Sequence, residues 1–368
     1  MDHSNCAREG KIDSIPFVTA IVPIRNERRF IRDCLEGILA QDYPGDRLEI
    51  LVADGMSTDG TREAVQALVE EHPERVIRLL DNPRHIFSTG FNLGLQEACG
   101  DVVIMVGGHM VMAEDYVSRC VAALSEGYDC VGGYIETISL DAPSETISVA
   151  MSSAFGVGGV GFRTRPNTRQ EVDTVAFGAY SRSAVERSGS LDESMVRNQD
   201  DEYNYRLRKL GGRILLSPDI HCRYYSRSNL RSMCAQYFRY GYWKVRVMQK
   251  HPFQMRLRHF VPAAFVAALF ASIACGLLLP HGAITLFSLL VLYGSAALSA
   301  AALSARDRGW RHFPKLPAVF FCLHFCYGFG FILGMIRFLP HWLRMNNEQP
   351  KRTPDGREPF SGRQGEHL

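Results

Sequence analysis

The stretch FVTAIVPI, residues 17–24, decides how the first half of this 368-residue chain folds. A short run of β-branched and apolar residues such as this predicts a strand that is buried on both faces. Similar runs recur at 48–53, 76–80, 102–106 and 130–133. Segments with helical spacing of apolar residues separate them, at 30–39, from the turn at 54–61 to about 71, at 89–98 and at 114–124. Strands and helices that alternate through short connections predict an α/β domain with a mainly parallel, Rossmann-like sheet and helices on both of its faces.

The alternation fails between Ala142 and Arg169, where Gly156–Gly161 predicts a mobile loop. A loop of this length is either a plain connection or a flap over an active site. Beyond it, residues 174–180 and 213–217 have the composition of strands, so we expect the soluble domain to end near Tyr225.

Three uncharged segments follow, at 260–279, 283–305 and 316–336, and each is close to the ~20 residues that cross a bilayer core. We predict that the first two are transmembrane helices. The third, which contains His324 and three glycines, is either a third span or a re-entrant or interfacial segment. The formal net charge is only +2, but eight Lys and Arg residues fall between Arg227 and Arg258, and the loop at 306–315 is also basic. Because two spans separate these basic segments, both are expected on the cytoplasmic side. No apolar signal segment follows Met1, which also favours a cytoplasmic soluble domain.

These patterns divide the chain into five expected parts: a flexible lead at 1–15, the α/β domain at 16–225, interfacial helices at 226–259, a membrane domain with two or three transmembrane helices at 260–340 and a disordered tail at 341–368. The interfacial segment mixes aromatic side chains with Arg and Lys, a combination that also occurs in nucleic-acid-binding proteins. Directly before two spans it is more consistent with contact to anionic lipid headgroups. We therefore expect membrane lipids, and no nucleic acid, as partners.

Acidic and polar residues cluster at three places where chemistry is possible. Asp200, Asp201 and Glu202 open a segment that continues as a helix to Leu210. Successive helical side chains point about 100° apart, so only one of the three is expected to face a cleft; capping of the helix start would also explain acids here. Ligands of parallel sheets bind at the carboxyl ends of the strands, which directs attention to Asn26, Asp54 and Gly107–His109. Asp54 either accepts hydrogen bonds from a nucleobase or ribose, or belongs to an ordinary turn that continues through Asp59.

Several short motifs occur together in a characteristic order. They are Val22–Glu27, the turn at 54–61, Asn82-Pro83, Gly90-x-Asn92, Gly100-Asp101, and Gln199-Asp200-x-Glu202 with Arg206 and Gly211. In this order they resemble the motifs of family-2 glycosyltransferases with the GT-A fold, and Gln236–Tyr240 resembles the QxxRW motif on the acceptor side of membrane-bound members. The stretches at 152–159, 177–180 and 238–244 are similar to those of bacterial succinoglycan-type exopolysaccharide glucosyltransferases.

The resemblance implies an inverting transfer of a sugar, glucose by this similarity, from a UDP-sugar to a lipid-linked or polysaccharide acceptor at the cytoplasmic face of a bacterial inner membrane. It implies that Asp200 is the catalytic base, that Glu202, Gln236, Arg239 and Tyr240 bind the acceptor, and that the donor is bound by Asn26, Glu27, Asp54, Asp59, Arg84, Gly107 and Gly108. Gln199 stands where Glu is common, and the loss of that negative charge is expected to lower the pKa of Asp200.

The expected metal motif is altered. Family members carry Asp-x-Asp or Asp-x-His after the strand at 102–106, whereas this chain has Gly107-Gly108-His109. His109 is then the main remaining ligand of the motif, which favours Mn²⁺ over Mg²⁺. Alternatively, Arg25 or Arg84 stabilises the diphosphate without metal, or His109 is purely structural.

Two other classes of protein fit parts of the pattern. A catalytically silent GT-A protein that binds sugar nucleotide, or serves as a scaffold in a polysaccharide assembly complex, would explain Gly107. A lipid-linked transport component would explain the apolar segments, but two or three helices form no obvious pathway.

Overall fold

The computed structural model describes residues 15–139, 141–164, 168–226 and 229–347, and the side chains of 142–143 and 341–347 are not described. The expected lead at 1–15, except for Ile15, and the expected tail beyond Asn347 lie outside the described residues.

One sheet organises the soluble domain. Its strands are β1 Val18–Ile24, β2 Leu48–Asp54, β3 Val76–Asp81, β4 Val102–Met105, β5 Met110–Met112, β6 Cys130–Ile138, β7 Gln170–Glu171, β8 Ala179–Ser181 and β9 Ile214–Tyr225. Their order is β3-β2-β1-β4-β8-β6-β9-β5, with β7 also paired to β9. The half formed by β1 to β4 is parallel, as predicted. The other half is mixed, because β8 runs antiparallel to both β4 and β6, and β5 runs antiparallel to β9.

Helices cover both faces of the sheet. They are α1 Ile31–Leu39, α2 Thr61–Glu71, α3 Phe87–Glu97, α4 Tyr116–Ser125, α5 Ala142–Met151, α6 Ala154–Val157, α7 Arg182–Ser188 and α8 Gln199–Lys209. Apolar residues of α1, α2 and α4 form one core with the sheet, and residues of α7 and α8 form a second core with Ile21 and Phe91. The apolar runs of β1, β2 and β4 are thus buried on both faces, whereas the edge strand β3 is partly exposed.

The second half of the domain departs from the predicted elements in three ways. The predicted loop at 142–169 contains the helices α5 and α6, and only the end of the predicted strand at 174–180 is a strand. Strand β9 continues to Tyr225 because it pairs with β6 on both sides of a register shift between Gly133 and Tyr134. A Cβ atom on Gly133 would lie 1.7 Å from the Ile220 carbonyl oxygen, so this close approach requires glycine.

Four helices complete the described chain: α9 Leu230–Lys250, α10 Val261–Leu278, α11 Ala283–Arg308 and α12 Leu316–Asn347. The last three each contain a segment whose length and apolar composition suffice to cross a membrane. Most of the surface of α10 and α11 is exposed, as suits lipid contact. In α12, by contrast, 39% of the residues in the apolar stretch are buried. That difference arises because α12 packs against α9 through glycines: a Cβ on Gly241 would lie 1.9 Å from the Tyr327 carbonyl oxygen, and one on Gly330 would lie 2.1 Å from that of Phe238.

Candidate active site

A cavity of about 1350 Å³ connects the carboxyl ends of β1 and β4 with the membrane helices. Its wall passes from the sheet edge, beneath α6 and the loop that follows it, to α9 and then to apolar residues of α10, α11 and α12. The sequence-predicted site residues that line it are Asn26, Glu27, Gly107, Gly108, His109, Asp200, Gln236, Arg239 and Tyr240. The structure therefore brings residues from distant parts of the sequence to one space that reaches from the sheet to the membrane segments.

The loops that follow β1 and β2 hold each other at the rim of this cavity. The side-chain oxygen of Asn26 accepts the backbone N–H of Thr58 at 2.9 Å, and the backbone N–H of Asn26 donates to Ser57 Oγ at 2.8 Å. Asn26 has a φ of 56°, a left-handed conformation that asparagine tolerates better than most residues. These bonds fix Asn26 and Glu27 at the cavity entrance.

Asp54 and Asp59 lie behind this rim and do not line the cavity. Asp54 is fully buried and accepts hydrogen bonds from the Ser57 N–H and from Arg62 Nη1, both at 2.9 Å. Desolvation acts to raise the pKa of Asp59, but hydrogen bonds from Thr61 and from the Arg28 N–H hold that pKa below its ordinary value. These contacts are those of turn residues, and a direct contact of either carboxylate with the donor remains a prediction.

Two other predicted residues also lie away from the cavity. Arg84 forms a surface ion pair with Glu193. Glu202 is buried, 2.9 Å from Arg206 Nη2 and 3.2 Å from His251 Nε2. Burial acts to raise the pKa of Glu202, yet His251 and Arg206 keep it below the ordinary value. Glu202 thus anchors α8, and acceptor binding by Glu202 or donor binding by Arg84 has no support from this geometry.

The segment Gly107–His109 contacts the cavity in a way that explains its glycines. A Cβ atom on Gly107 would lie 2.7 Å from Phe177 Cε1, and one on Gly108 would lie 2.7 Å from Ile24 Cγ2. The Phe177 ring therefore occupies the space that the expected aspartate side chain would need.

Of the predicted site residues, His109 and Glu27 come nearest to forming a set of metal ligands. Their Nδ1 and Oε1 atoms are 3.1 Å apart. Among the residues that the structure describes, no group of three or more His, Cys, Asp or Glu side chains could hold a metal ion. The protein thus offers two donors here, and a divalent cation would need diphosphate oxygens and water to complete its coordination. His109 as a metal ligand remains a prediction.

Asp200 is recessed in the cavity wall at the start of α8. Its Oδ1 accepts the N–H of Asp201 at 3.0 Å. Burial and then the negative charge of Asp201 raise the pKa of Asp200 to about 6, and the positive charge of Lys244 opposes this shift. The lowering of this pKa expected from Gln199 is outweighed by burial and by the negative charge of Asp201.

Asp201 also lines the cavity but is held by two partners. It accepts a hydrogen bond from Thr174 Oγ1 at 2.9 Å and forms a buried ion pair with Lys244. Burial acts to raise the pKa of Asp201, but Lys244 and Thr174 keep it low. Nearby, burial and Lys244 lower the pKa of His259 to about 3, and its Nδ1 accepts the N–H of Arg256 at 3.1 Å. Asp201 therefore stays ionised while its neighbour Asp200 titrates close to neutral pH, a separation typical of acid–base sites.

The acceptor-side motif lies on the cavity-facing side of α9. Gln236 Nε2 donates to the Tyr240 hydroxyl at 2.8 Å, and Arg239 is exposed to the cavity. Four buried polar atoms in this wall have no hydrogen-bond partner among the described residues: Gln199 Oε1, Gln236 Oε1, Tyr327 Oη and Arg258 Nε. Buried polar atoms usually have partners, so these four fit a polar ligand or water in the cavity.

Sequence reasoning missed four residues of the site, Arg163, Phe177, Lys244 and His259. A signal existed for Lys244, which follows Gln236 and Tyr240 at intervals of four and so shares their face of α9. Arg163, Phe177 and His259 reach the cavity only through the tertiary fold, so no sequence pattern indicated them. Contacts of the apolar helices with the cavity wall were also not predictable from sequence. His324 Nε2 lies 2.8 Å from the Phe155 carbonyl oxygen, and its Nδ1 lies 3.0 Å from the Tyr293 hydroxyl.

Residues 19–189 match the family model described as Glycosyl transferase family 2. The chain is 31% identical over 256 residues to the succinoglycan biosynthesis protein ExoA of Rhizobium meliloti (strain 1021), an alignment that covers 69% of this chain and 76% of that protein. It is 28% identical over 328 residues to the dolichyl N-acetyl-α-D-glucosaminyl phosphate 3-β-D-2,3-diacetamido-2,3-dideoxy-β-D-glucuronosyltransferase of Methanococcus voltae, covering 87% and 98%.

A solved structure has a similar fold. The mannosyltransferase PcManGT from Pyrobaculum calidifontis, in complex with GDP-Man and Mn²⁺, superposes with a TM-score of 0.54 at 22% sequence identity, covering 88% of this chain and 87% of that one.

Proposed function

Because this chain belongs to glycosyl transferase family 2, we propose that it transfers a sugar from a UDP-sugar to an acceptor carried by a polyprenyl lipid or a growing polysaccharide. The predicted GT-A fold is confirmed by the superposition on a solved glycosyltransferase. UDP as the nucleotide, glucose as the sugar and inversion at the anomeric carbon follow from the motif resemblance to succinoglycan-type glucosyltransferases.

One observation supports the proposal most strongly. Asp200, a carboxylate whose pKa is raised to about 6, lies in the wall of a cavity that extends from the strand ends to the membrane helices. A general base works best when its pKa is near the operating pH. The proposed base and an apolar binding region thus lie in one cavity, as a lipid-linked acceptor requires.

In the proposed reaction, Asp200 accepts the proton of an acceptor hydroxyl while that oxygen forms a bond to the anomeric carbon of the donor. The bond between the anomeric carbon and the diphosphate oxygen breaks on the opposite side, and UDP leaves with the electron pair. One displacement of this kind inverts the configuration. Asp201, held by Lys244, stays ionised and keeps the pKa of Asp200 raised.

The donor is proposed to bind at the rim formed by Asn26 and Glu27. A divalent cation, if used, would be held by Glu27 and His109 together with diphosphate oxygens, and it would neutralise charge on the leaving diphosphate. A carboxylate with an imidazole suits Mn²⁺ better than Mg²⁺. The PcManGT structure contains Mn²⁺ and a sugar nucleotide, which supports a site of this general kind.

The acceptor is proposed to bind between α9 and the membrane helices. The unpartnered atoms of Gln236 and Gln199 fit sugar hydroxyl groups, and Phe265, Leu292 and Tyr293 fit a polyprenyl chain. The relative from Methanococcus voltae, whose name includes a dolichyl N-acetylglucosaminyl phosphate, supports an acceptor of this class. We place the enzyme at the cytoplasmic face of a bacterial inner membrane as a multi-pass protein.

The test is sugar transfer by the full-length protein in lipid nanodiscs. A panel of radiolabelled UDP-sugars and GDP-mannose is incubated with bacterial polyprenyl-linked sugars, and label in the lipid phase is counted. Wild-type protein should transfer the sugar of one donor in the panel to the lipid phase. Asp200→Asn should lose at least about a hundredfold in turnover, because an amide cannot accept the proton, while its affinity for UDP stays within a few-fold.

Two results would contradict the proposal. Nucleotide binding without transfer from any donor would indicate a silent binding or scaffold protein. Turnover by Asp200→Asn above about a tenth of the wild-type rate would remove Asp200 from the role of base.

A further inference from the structure

We propose that Arg163 binds a phosphate group of the lipid-linked acceptor and so fixes where along the cavity the acceptor sugar lies. This inference rests on the proposed function, because it assigns one residue to the acceptor of that reaction. Arg163 belongs to the turn that follows α6, a part of the chain for which sequence reasoning gave only a flap.

The guanidinium of Arg163 has almost no partners within the protein. Its one side-chain hydrogen bond runs from Nη1 to Thr137 Oγ1 at 3.3 Å, and it forms no ion pair with a carboxylate of the described chain. Its other close neighbours are aromatic, with Cζ 5.4 Å from the centre of the Tyr224 ring and 5.9 Å from that of Phe162. An arginine has five N–H donors, so four of those of Arg163, which lines the cavity, have no hydrogen-bond partner among the described residues.

Two other cations of the cavity wall are already neutralised. Lys244 pairs with Asp201, and Arg258 lies 3.2 Å from a carboxylate oxygen of Asp173. Arg25, Arg197 and Arg239 also line the cavity, but Arg25 and Arg239 are exposed and Arg197 donates to the Val196 carbonyl oxygen. Unlike Lys244 and Arg258, Arg163 forms no ion pair among the described residues, although it is half-buried. A recessed cation without a counter-charge is costly unless a ligand supplies one.

The position of Arg163 favours the acceptor over the donor as the source of that anion. Its charge acts on Tyr237 and Tyr240, which lie on the acceptor-side helix α9. The flap that carries it is joined to the membrane segment through the contact of Phe155 with His324. The donor diphosphate, expected beside Glu27 and His109, is the alternative source, because the Tyr224 ring also lies 4.7 Å from the His109 ring; the measurement of UDP binding below distinguishes the two.

The chemistry of the ligand follows from the geometry. Guanidinium groups bind phosphate oxygens through two parallel hydrogen bonds, a match that ammonium groups lack. In a polyprenyl-linked sugar the phosphate lies between the sugar and the lipid. Arg163 lines the same cavity as Asp200 and as apolar residues of α10 and α11, so one acceptor can contact all three.

The experiment compares two lipid probes that differ only in the phosphate. Full-length protein in nanodiscs is titrated with undecaprenyl phosphate and with undecaprenol, and bound lipid is quantified by native mass spectrometry. The variants are Arg163→Gln, Arg163→Lys and the control Arg231→Gln, which removes an exposed α9 arginine that does not line the cavity. UDP binding is measured on every variant by calorimetry, and thermal unfolding checks that each one folds.

Wild-type protein and Arg231→Gln should bind undecaprenyl phosphate about tenfold or more tightly than undecaprenol, as expected for a charge-assisted hydrogen bond. Arg163→Gln should lose that preference and keep its affinity for UDP, and Arg163→Lys should retain part of the preference. Equal preference in Arg163→Gln and wild-type protein would overturn the inference. Loss of UDP binding in Arg163→Gln would overturn it too, because Arg163 would then bind the donor.

Failure of this inference is distinguishable from failure of the proposed function. The binding assay needs no turnover, whereas the proposed function fails if wild-type protein transfers no sugar. A phosphate preference that depends on Arg163 would stand even in that case.

Discussion

Two adjacent carboxylates, Asp200 and Asp201, have opposite pKa shifts because different charged groups lie next to them. Asp200 faces the cavity, where burial and the charge of its neighbour raise its pKa, and Asp201 is neutralised by Lys244. The sequence predicts which residue is the base through the motif that contains it. It does not predict the role of Lys244, because that contact joins residues 43 positions apart.

The pair predicts opposite pH shifts for two variants. In the proposed reaction transfer requires ionised Asp200, so kcat/KM should rise with pH through the pKa of that residue. Asp201→Asn removes a negative charge that raises this pKa, so the acidic limb of the profile should move to lower pH. Lys244→Met removes a positive charge that lowers it, so the limb should move to higher pH. The measurement is kcat/KM from acidic to neutral pH.

The matched control for these variants is Lys209→Met, which removes an exposed cation from the far end of α8 and should leave the profile unchanged. Shifts of Asp201→Asn and Lys244→Met in the same direction would mean that another group controls the acidic limb.

A second prediction at this scale concerns Gly107 and Phe177. Gly107→Asp alone should destabilise the protein without strengthening Mg²⁺-dependent UDP binding, because the new side chain meets the Phe177 ring. The double variant Gly107→Asp with Phe177→Ala should bind UDP more tightly when Mg²⁺ is present, since an oxygen ligand and the space for it are both supplied. Calorimetry of UDP binding with and without Mg²⁺ measures this.

Phe177→Ala alone controls for the enlarged cavity and should gain no metal dependence. If the double variant also gains none, then the ion, where used, is not held at Gly107–His109. The sequence reveals the missing aspartate, but Phe177 lies 70 residues away and its ring position depends on the tertiary fold.

At the scale of elements, the first half of the domain is predicted well and the second half is not. Strands β1, β2 and β4 are buried on both faces and read as plain apolar runs, whereas the edge strand β3 is partly exposed. The α5–α6 region has no clear helical period, because it packs on membrane helices as well as on the sheet, as Ile147, Met151 and Phe155 do with Phe320. A helix with two apolar contacts loses the one-sided pattern on which sequence reading depends.

The close packing of α9 on α12 leads to a prediction about Gly241. Gly241→Ala should destabilise the protein by about 1–3 kcal/mol or more, because its Cβ would overlap the Tyr327 carbonyl oxygen. The control is Gly294→Ala in α11, where the added Cβ meets no atom within 4 Å. That change should be neutral, or stabilising by up to ~1 kcal/mol. Thermal unfolding in nanodiscs measures both, and equal effects would contradict the packing of α9 on α12.

At the scale of the whole molecule, the order of motifs predicted the family and the GT-A fold correctly. It left open whether the third apolar segment spans the membrane. The contacts between α9 and α12 follow the same order along both helices, from Gly241 with Tyr327 to Gln249 with Phe338. Helix α9 carries five Arg and Lys residues, so it does not lie in the hydrocarbon core. Helix α12 runs beside it and is expected at the same depth.

This arrangement predicts two spans rather than three. Fusions of alkaline phosphatase and of green fluorescent protein are placed after His281, in the turn between α10 and α11, and after Leu368. The phosphatase should be active only at His281, and the fluorescent protein should be bright only at Leu368. Phosphatase activity at Leu368 would establish a third span. An N-terminal fluorescent fusion serves as the cytoplasmic control.

The continuity of the cavity with α10 and α11 changes what acceptor concentration means for this protein. A substrate that enters from between membrane helices arrives by lateral diffusion within the bilayer. Its effective concentration is then the number of molecules per unit area of membrane. Adding inert phospholipid at constant acceptor and protein would then slow transfer through surface dilution, although no concentration in the bulk solution has changed. Saturation by the donor would still depend on its concentration in solution. The same catalytic centre would therefore respond to the bulk concentration of one substrate and to the surface density of the other.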